Sequence, residues 1–206
     1  MGCGWTPNKP VDWNLVTSVE VVNGGGQPST KFWEQQLREG HRLTAIGGSD
    51  NHHADWPPQK TGSVGYPTTV VYAQNLSVAA ILDGVRSGRA FIDVTGSRNR
   101  LLDLNAQTGS ARANMGSDLE PHSGESVALE IHVTGCEGAS LRFFLDGISS
   151  SDLPPLAVSS ADQALHARWQ ADGARHWIRA EVRDAQDHLL LLGNPIYIGF
   201  NSAKSH

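Results

Sequence analysis

After Gly96 the chain offers no convincing helix, and that constrains its fold more than any other feature. The runs "SVALEIHVTG", "LRFFLDG", "ALHARWQ", "HWIRAEVRD", "HLLLLGN" and "PIYIGF" follow one another, short and alternating or apolar, with Gly, Asp, Asn and Pro between them. A period of two points one face of each run at a core and the other at water. Six such strands at short spacing predict a small antiparallel β-sandwich from roughly Leu101 to Phe200.

The first half reads differently. "VTSVEVVNG" (Val16 to Gly24) is rich in β-branched residues and ends in glycines, as a strand entering a loop does. "STKFWEQQLREGH" sets Phe32, Trp33 and Leu37 at helical spacing, with Ser29 or Thr30 as N-cap and Gly40 just past the end. "RLTAIGGSD" and "TTVVYA" return as strands. "NLSVAAILDGVRSGR" offers Ser77 as N-cap, an apolar face of Val78, Ile81, Leu82 and Val85, and Gly88 as stop; "AFIDVTG" closes the half as another strand. Strand, helix, strand, strand, helix, strand is α/β grammar, in which active groups gather at the carboxyl ends of strands. Glu20, Asp50 and His52 all fall at such ends. The boundary between the halves is expected within "TGSRNRLLDLNAQTGSARANMGSD", which divides the chain at 1–98 and 99–206.

The chemistry of the first half concentrates in "AIGGSDNHHAD". A carboxylate and an imidazole two residues apart on an extended segment point to the same side and suit one shared cation, here Asp50 with His52. Neutral imidazole with carboxylate fits zinc, iron or manganese. The blander reading is a loop in which Asp50 caps a turn while His52 and His53 lie in solvent. Composition narrows the partners. A chain of 206 residues with net charge −5 presents no basic face for a nucleic-acid backbone, and no run approaches the ~20 apolar residues that cross a bilayer. A cytoplasmic protein is the default expectation. Cys3 and Cys136 stand far apart in unrelated contexts, which supports neither a disulfide framework nor a CxxC site.

Taken in order, "SVEVVNGG", "FWEQQLREGHRLTAIGGSDNHH", "VGYPTTVVYAQNLSVAAILDGVRSGRAF" and "GNPIYI" resemble the carboxyl-terminal part of the CehA/McbA-like branch of PHP-domain (polymerase and histidinol phosphatase) metallohydrolases. The resemblance implies α/β plus all-β architecture: a partial PHP-like distorted (β/α) barrel segment followed by the sandwich. It implies two or three divalent transition-metal ions (zinc, manganese or iron) in a complete site. Asp50 and His52 would be catalytic metal ligands of the family's last motif. Glu20 is a third candidate, as metal ligand, as a group orienting one, or as a plain strand-end carboxylate. The substrate would be a small-molecule ester, phosphoester or carbamate. The chain departs from the family in lacking any His-x-His, so on this reading it is the last part of a larger hydrolase, and a homo-oligomer or a missing barrel segment would cover its open edge.

Other residues invite plainer readings. His53 is expected in solvent, Arg89 at a helix end where it complements the dipole, and His41 at the surface. Trp5, Trp13, Trp33 and Trp56 are expected to pack rather than to form a stacking platform. His122, His132, His166, His176, His188 and His206 show no ligand spacing. A reading of another class makes the second half a non-catalytic binding or assembly module, for carbohydrate or protein, supported by the first half.

Overall fold

The computed structural model describes residues 11–24, 28–58 and 60–200, so Cys3, Trp5 and His206 lie outside the described residues. The first half supplies β1 (Ser18–Asn23), α1 (Thr30–Arg38), β2 (Thr44–Gly48), β3 (Thr68–Val71), α2 (Val78–Arg86) and β4 (Ala90–Asp93). The second supplies β5 (Leu101–Thr108), β6 (Ala111–Asn114), β7 (Asp118–Leu119), β8 (Ser126–Thr134) and β9 (Ser140–Leu145). It continues with β10 (Ile148–Ser149), β11 (Leu156–Ala157), β12 (Asp162–Gln170), β13 (His176–Arg183), β14 (Leu189–Gly193) and β15 (Ile196–Ile198).

Strict alternation builds the first sheet, in the order β12-β8-β5-β6. On β8, Val127, Leu129, Ile131 and Val133 are buried while their neighbours face outward, and Leu102, Leu104 and Ala106 of β5 sit opposite Val133, Ile131 and Leu129. The second sheet runs β10-β9-β13-β14-β4-β3, with β15 on β13 and β7 on β15. Leu141, Phe143, Ile178, Ala180, Val182 and Leu191 project from it into the same core. Each fully buried Leu, Ile or Phe contributes about 1.5–3 kcal/mol relative to exposure, so this double layer is the main source of stability.

A third layer covers the far face of the second sheet. Val21, Val22, Trp33, Leu37, Leu43 and Ala45 pack there against Ile92, Trp177, Leu192 and Tyr197. Trp33 and Leu37 lie one turn apart on α1, and the Trp33 indole Nε1 donates to the Leu43 carbonyl at 2.7 Å. Gly40, at φ +92°, takes the left-handed position that ends α1, where a side chain would be strained. Because both its faces are covered, β13 buries six consecutive residues, including Arg179 and Glu181.

β1 and β2 form a two-stranded parallel ribbon whose outer edge is sealed by side chains instead of a further strand. The Asn194 amide accepts from Ala45 N–H at 2.7 Å and donates to the carbonyls of Ala45 (3.1 Å) and Ala90 (2.8 Å). The Thr69 hydroxyl accepts from Gly47 N–H at 2.8 Å and lies 2.7 Å from Gly47 O, to which it donates. Buried backbone polar groups need such partners, and Asn194 of "GNP" meets that need with no solvent access of its own.

The expected fold class is corrected here. The partial PHP-like barrel segment over 1–98 is absent: β3 and β4 pair antiparallel and join the second sheet beside β14, so hydrogen bonding runs across residue 98. Among the described residues, two nine-residue helices stand against fifteen strands, and no α/β barrel is evident. The physical reason lies in α2, which reverses the chain at the end of β3 and does not cross over the sheet, so it cannot set the next strand parallel. The antiparallel β-sandwich agrees with the alternation that predicted it. The stretch expected to be a boundary also contains β5, whose Asp103, Asn105 and Gln107 face outward between buried neighbours.

Candidate functional site

The Asp50 loop begins where β2 ends. Asp50 adopts φ +47°, so the chain turns sharply at once and is not the extended segment on which the ligand argument relied. Asn51 holds the loop: its side-chain carbonyl accepts from His53 N–H at 2.8 Å and its amide donates to Gly62 O at 2.7 Å. His52 Nε2 still comes within 3.6 Å of Asp50 Oδ1, with both side chains largely exposed, at 77% and 57%. Glu20 is elsewhere. Its carboxylate accepts from Asn23 Nδ2 at 3.2 Å and lies against Gly48, where an added Cβ would sit 2.6 Å from Glu20 Oε1.

Asp50 and His52 are therefore brought together and Glu20 is not. Among the described residues no three His, Cys, Asp or Glu side chains converge to hold a metal ion. A catalytic transition metal needs about three protein ligands, so two exposed groups do not fit the ions that the sequence resemblance implied, and no chemistry is derived through them. His53 is exposed and stacks on Trp56 at 4.6 Å with planes 9° apart, while Lys60 Nζ lies 3.2 Å over the same ring. Arg89 makes a two-pronged ion pair with Asp103, at 2.5 and 3.2 Å, and its guanidinium covers Tyr72 at 4.3 Å, so its charge is already engaged. Trp13 stacks on His41 at 5.0 Å, and Trp33 is fully buried.

The feature that sequence reasoning placed wrongly is the apolar face of α2. Ser77 caps the helix as expected, accepting from Ala80 N–H at 3.2 Å, and Gly88 at φ +73° ends it. Yet the side of α2 that meets the protein is Gly84, where a Cβ would lie 2.5 Å from Val71 Cγ1 and 2.8 Å from the Tyr72 carbonyl. Only a residue without a side chain permits that approach, and it turns the larger residues outward. Leu76 is 96% exposed, Val78 76%, Leu82 43% and Ile81 37%. Asp83 and Arg86 flank the stripe, one of each sign, 3.7 Å apart.

Three of the histidines without ligand spacing meet a carboxylate: His132 at Asp162 (2.6 Å), His188 at Asp184 (3.1 Å), and His176, which is held from both sides. His176 Nδ1 lies 2.6 Å from Asp146 Oδ2, and Nε2 lies 3.1 Å from both oxygens of Asp172. Trp169 meets the ring edge-on at 5.3 Å. Burial works to lower the His176 pKa, but hydrogen bonds and attraction from Asp146 and Asp172 outweigh it, and the net shift is upward. A raised folded-state pKa gives stability that is fully present below the unfolded value near 6.5 and lost as pH rises through the folded value. Thermal melts between about pH 5 and 9 should show the wild type losing its advantage over His176→Gln as pH rises above neutrality. A difference that is constant with pH would show that the clamp does not titrate.

No family model matches the chain, and no curated protein matches it. Two CARDB-domain structures of the Pyrococcus furiosus protein PF1109 are similar in part. Its solution structure aligns with 48% of this chain and 95% of that domain at 9% identity and a TM-score of 0.27. The crystal structure of the same domain in complex with di-metal ions aligns with 48% of this chain and 94% of that one, at 9% identity and a TM-score of 0.26. Neither is a PHP domain, and a likeness of this degree transfers no property. The PHP resemblance is corrected on the architecture, in which an antiparallel sheet occupies the place of the expected barrel segment, and the hydrolase reading that came with it is not carried forward.

Proposed function

We propose that this chain is a non-catalytic assembly module in which the β-sandwich is the scaffold and α2 the docking element, and that the partner is a second copy of the chain. The observation that carries the reading is the outward apolar stripe of Leu76, Val78, Ile81 and Leu82. Contiguous large apolar side chains are seldom left in water, because each gains free energy on being covered. A second copy fits because the stripe is self-complementary. Two copies of α2 related by a two-fold axis bring apolar stripe to apolar stripe.

Sedimentation of the full chain at micromolar concentration is expected to give about twice the 22.1 kDa chain mass. Val78→Lys with Leu82→Lys should return it to monomer with its circular dichroism spectrum unchanged, since both side chains are exposed within one chain. A clean monomer with low dye binding would overturn the reading. So would a dimer indifferent to these substitutions.

A further inference from the structure

The outer face of the first sheet carries polar side chains in register. His166 of β12 lies opposite Glu130 of β8, Glu130 opposite Asn105 of β5, and Asn105 opposite Asn114 of β6. Residues directly opposite in an antiparallel pair share a face, about 4.5–5.5 Å apart, so these four form one row across the whole sheet. Asn114 Oδ1 accepts from the Ser117 hydroxyl at 2.9 Å. No described residue hydrogen-bonds the side chains of Asn105, Glu130 or His166. Ala128, beside Glu130 on the next row, is too small to fill the space above it, and a cleft of about 500 Å³ results.

This cleft does not stop at the sheet. Asn114 and Ser117 also line a second cleft, of about 690 Å³, bounded by Ala80 and Gly84 on the inner side of α2 and by Tyr72. The two form one groove, running from α2 to β12. Its chemistry is mixed and close to neutral. Amides donate and accept, an imidazole does one of each, and the charges balance, Glu130 and Asp83 against Arg112 and Arg89. A phosphorylated ligand would find no excess of positive charge, and an apolar one would leave these groups without partners.

We infer that the groove binds an uncharged oligosaccharide laid across the strands, with His166, Glu130, Asn105 and Asn114 hydrogen-bonding its hydroxyls. Neighbouring hydroxyls on a sugar ring offer the paired donors and acceptors that amide and carboxylate groups recognise, and the row spacing presents them in succession. This site is independent of the outward face of α2.

The test is a titration of the isotopically labelled full chain with four neutral hexasaccharides: maltohexaose, cellohexaose, xylohexaose and chitohexaose. At least one is expected to shift the amide resonances of Asn105, Glu130, His166 and Asn114. Asn105→Ala and Glu130→Ala should each weaken that binding about tenfold, the loss expected for a hydrogen bond shared with a charged or bidentate group. Glu137→Ala, exposed on the turn between β8 and β9, should leave it unchanged. Glu130 is itself exposed, so its replacement keeps the fold and the comparison sound. The inference is overturned if no hexasaccharide moves these resonances, if the shifts persist in both variants, or if a neutral peptide moves them and the sugars do not.

Discussion

Arg179→Met should destabilise the chain by about 3–5 kcal/mol, the cost of removing one partner from a buried ion network. Arg179 is 1% exposed. One guanidinium nitrogen donates to Glu34 of α1 at 2.6 Å, another to Glu181 of the same strand at 2.6 Å, and the plane lies 4.2 Å over Phe144. Glu181 has a second partner in Arg183, at 2.7 and 2.9 Å, whereas Arg179 is the one ion-pair partner of Glu34 among the described residues. Methionine would fill much of the volume but strand the Glu34 carboxylate between α1 and the sheet. The double variant Arg179→Met, Glu34→Leu should therefore recover most of the loss, a strongly non-additive pair. Urea denaturation of the four proteins in the cycle measures this directly. A loss below about 1 kcal/mol for the single variant would mean that water reaches the network and α1 is not docked on β13.

That network also shows where a sequence stops being legible. "HWIRAEVRD" reads as alternating, and β13 does alternate, with Ile178, Ala180 and Val182 in the sandwich core. The pattern implies that Arg179 and Glu181 face water; they are buried instead because α1 brings Glu34 over them. A local period reports which residues share a face, not what covers that face. On α2 the same gap has the opposite outcome. The stripe of Val78, Ile81 and Leu82 was legible as a face and illegible as a surface, because the close approach at Gly84 decides which side of the helix meets β3. At Asp50 the period itself failed. Two residues on an extended chain would share a side, but Asp50 turns the chain at φ +47°, and Glu20 is drawn to Gly48 and Asn23. Strands with a plain apolar face were read with their boundaries nearly right. β5 was obscured because its outward residues are Asp, Asn and Gln, which resemble a linker until their alternation with Leu102, Leu104 and Ala106 is weighed.

Gly116→Ala should cost about 3 kcal/mol, combining the strain of a left-handed backbone with the overpacking of a tight contact. Gly116 sits at φ +85° in the turn between β6 and β7, and its N–H donates to Pro195 O at 2.7 Å. A Cβ there would lie 1.7 Å from the Ser87 carbonyl oxygen and 2.8 Å from Gly88 Cα. Both colliding atoms are backbone, so no rotamer relieves the clash and the end of α2 must move away from the turn. For a chain of this size the loss corresponds to a fall in melting temperature of about 6–12 °C. Gly109→Ala supplies the comparison, for Gly109 also has a positive φ, +52°, but nothing lies within 4 Å of its added Cβ. It should cost only about 1–2 kcal/mol, the backbone strain alone. The difference between the two variants isolates the contact between Gly88 and Gly116 that fixes α2 beside the sandwich. If calorimetry finds the two losses equal, that contact does not hold α2 in place, and the inner wall of the groove at Ala80 and Gly84 is free to move.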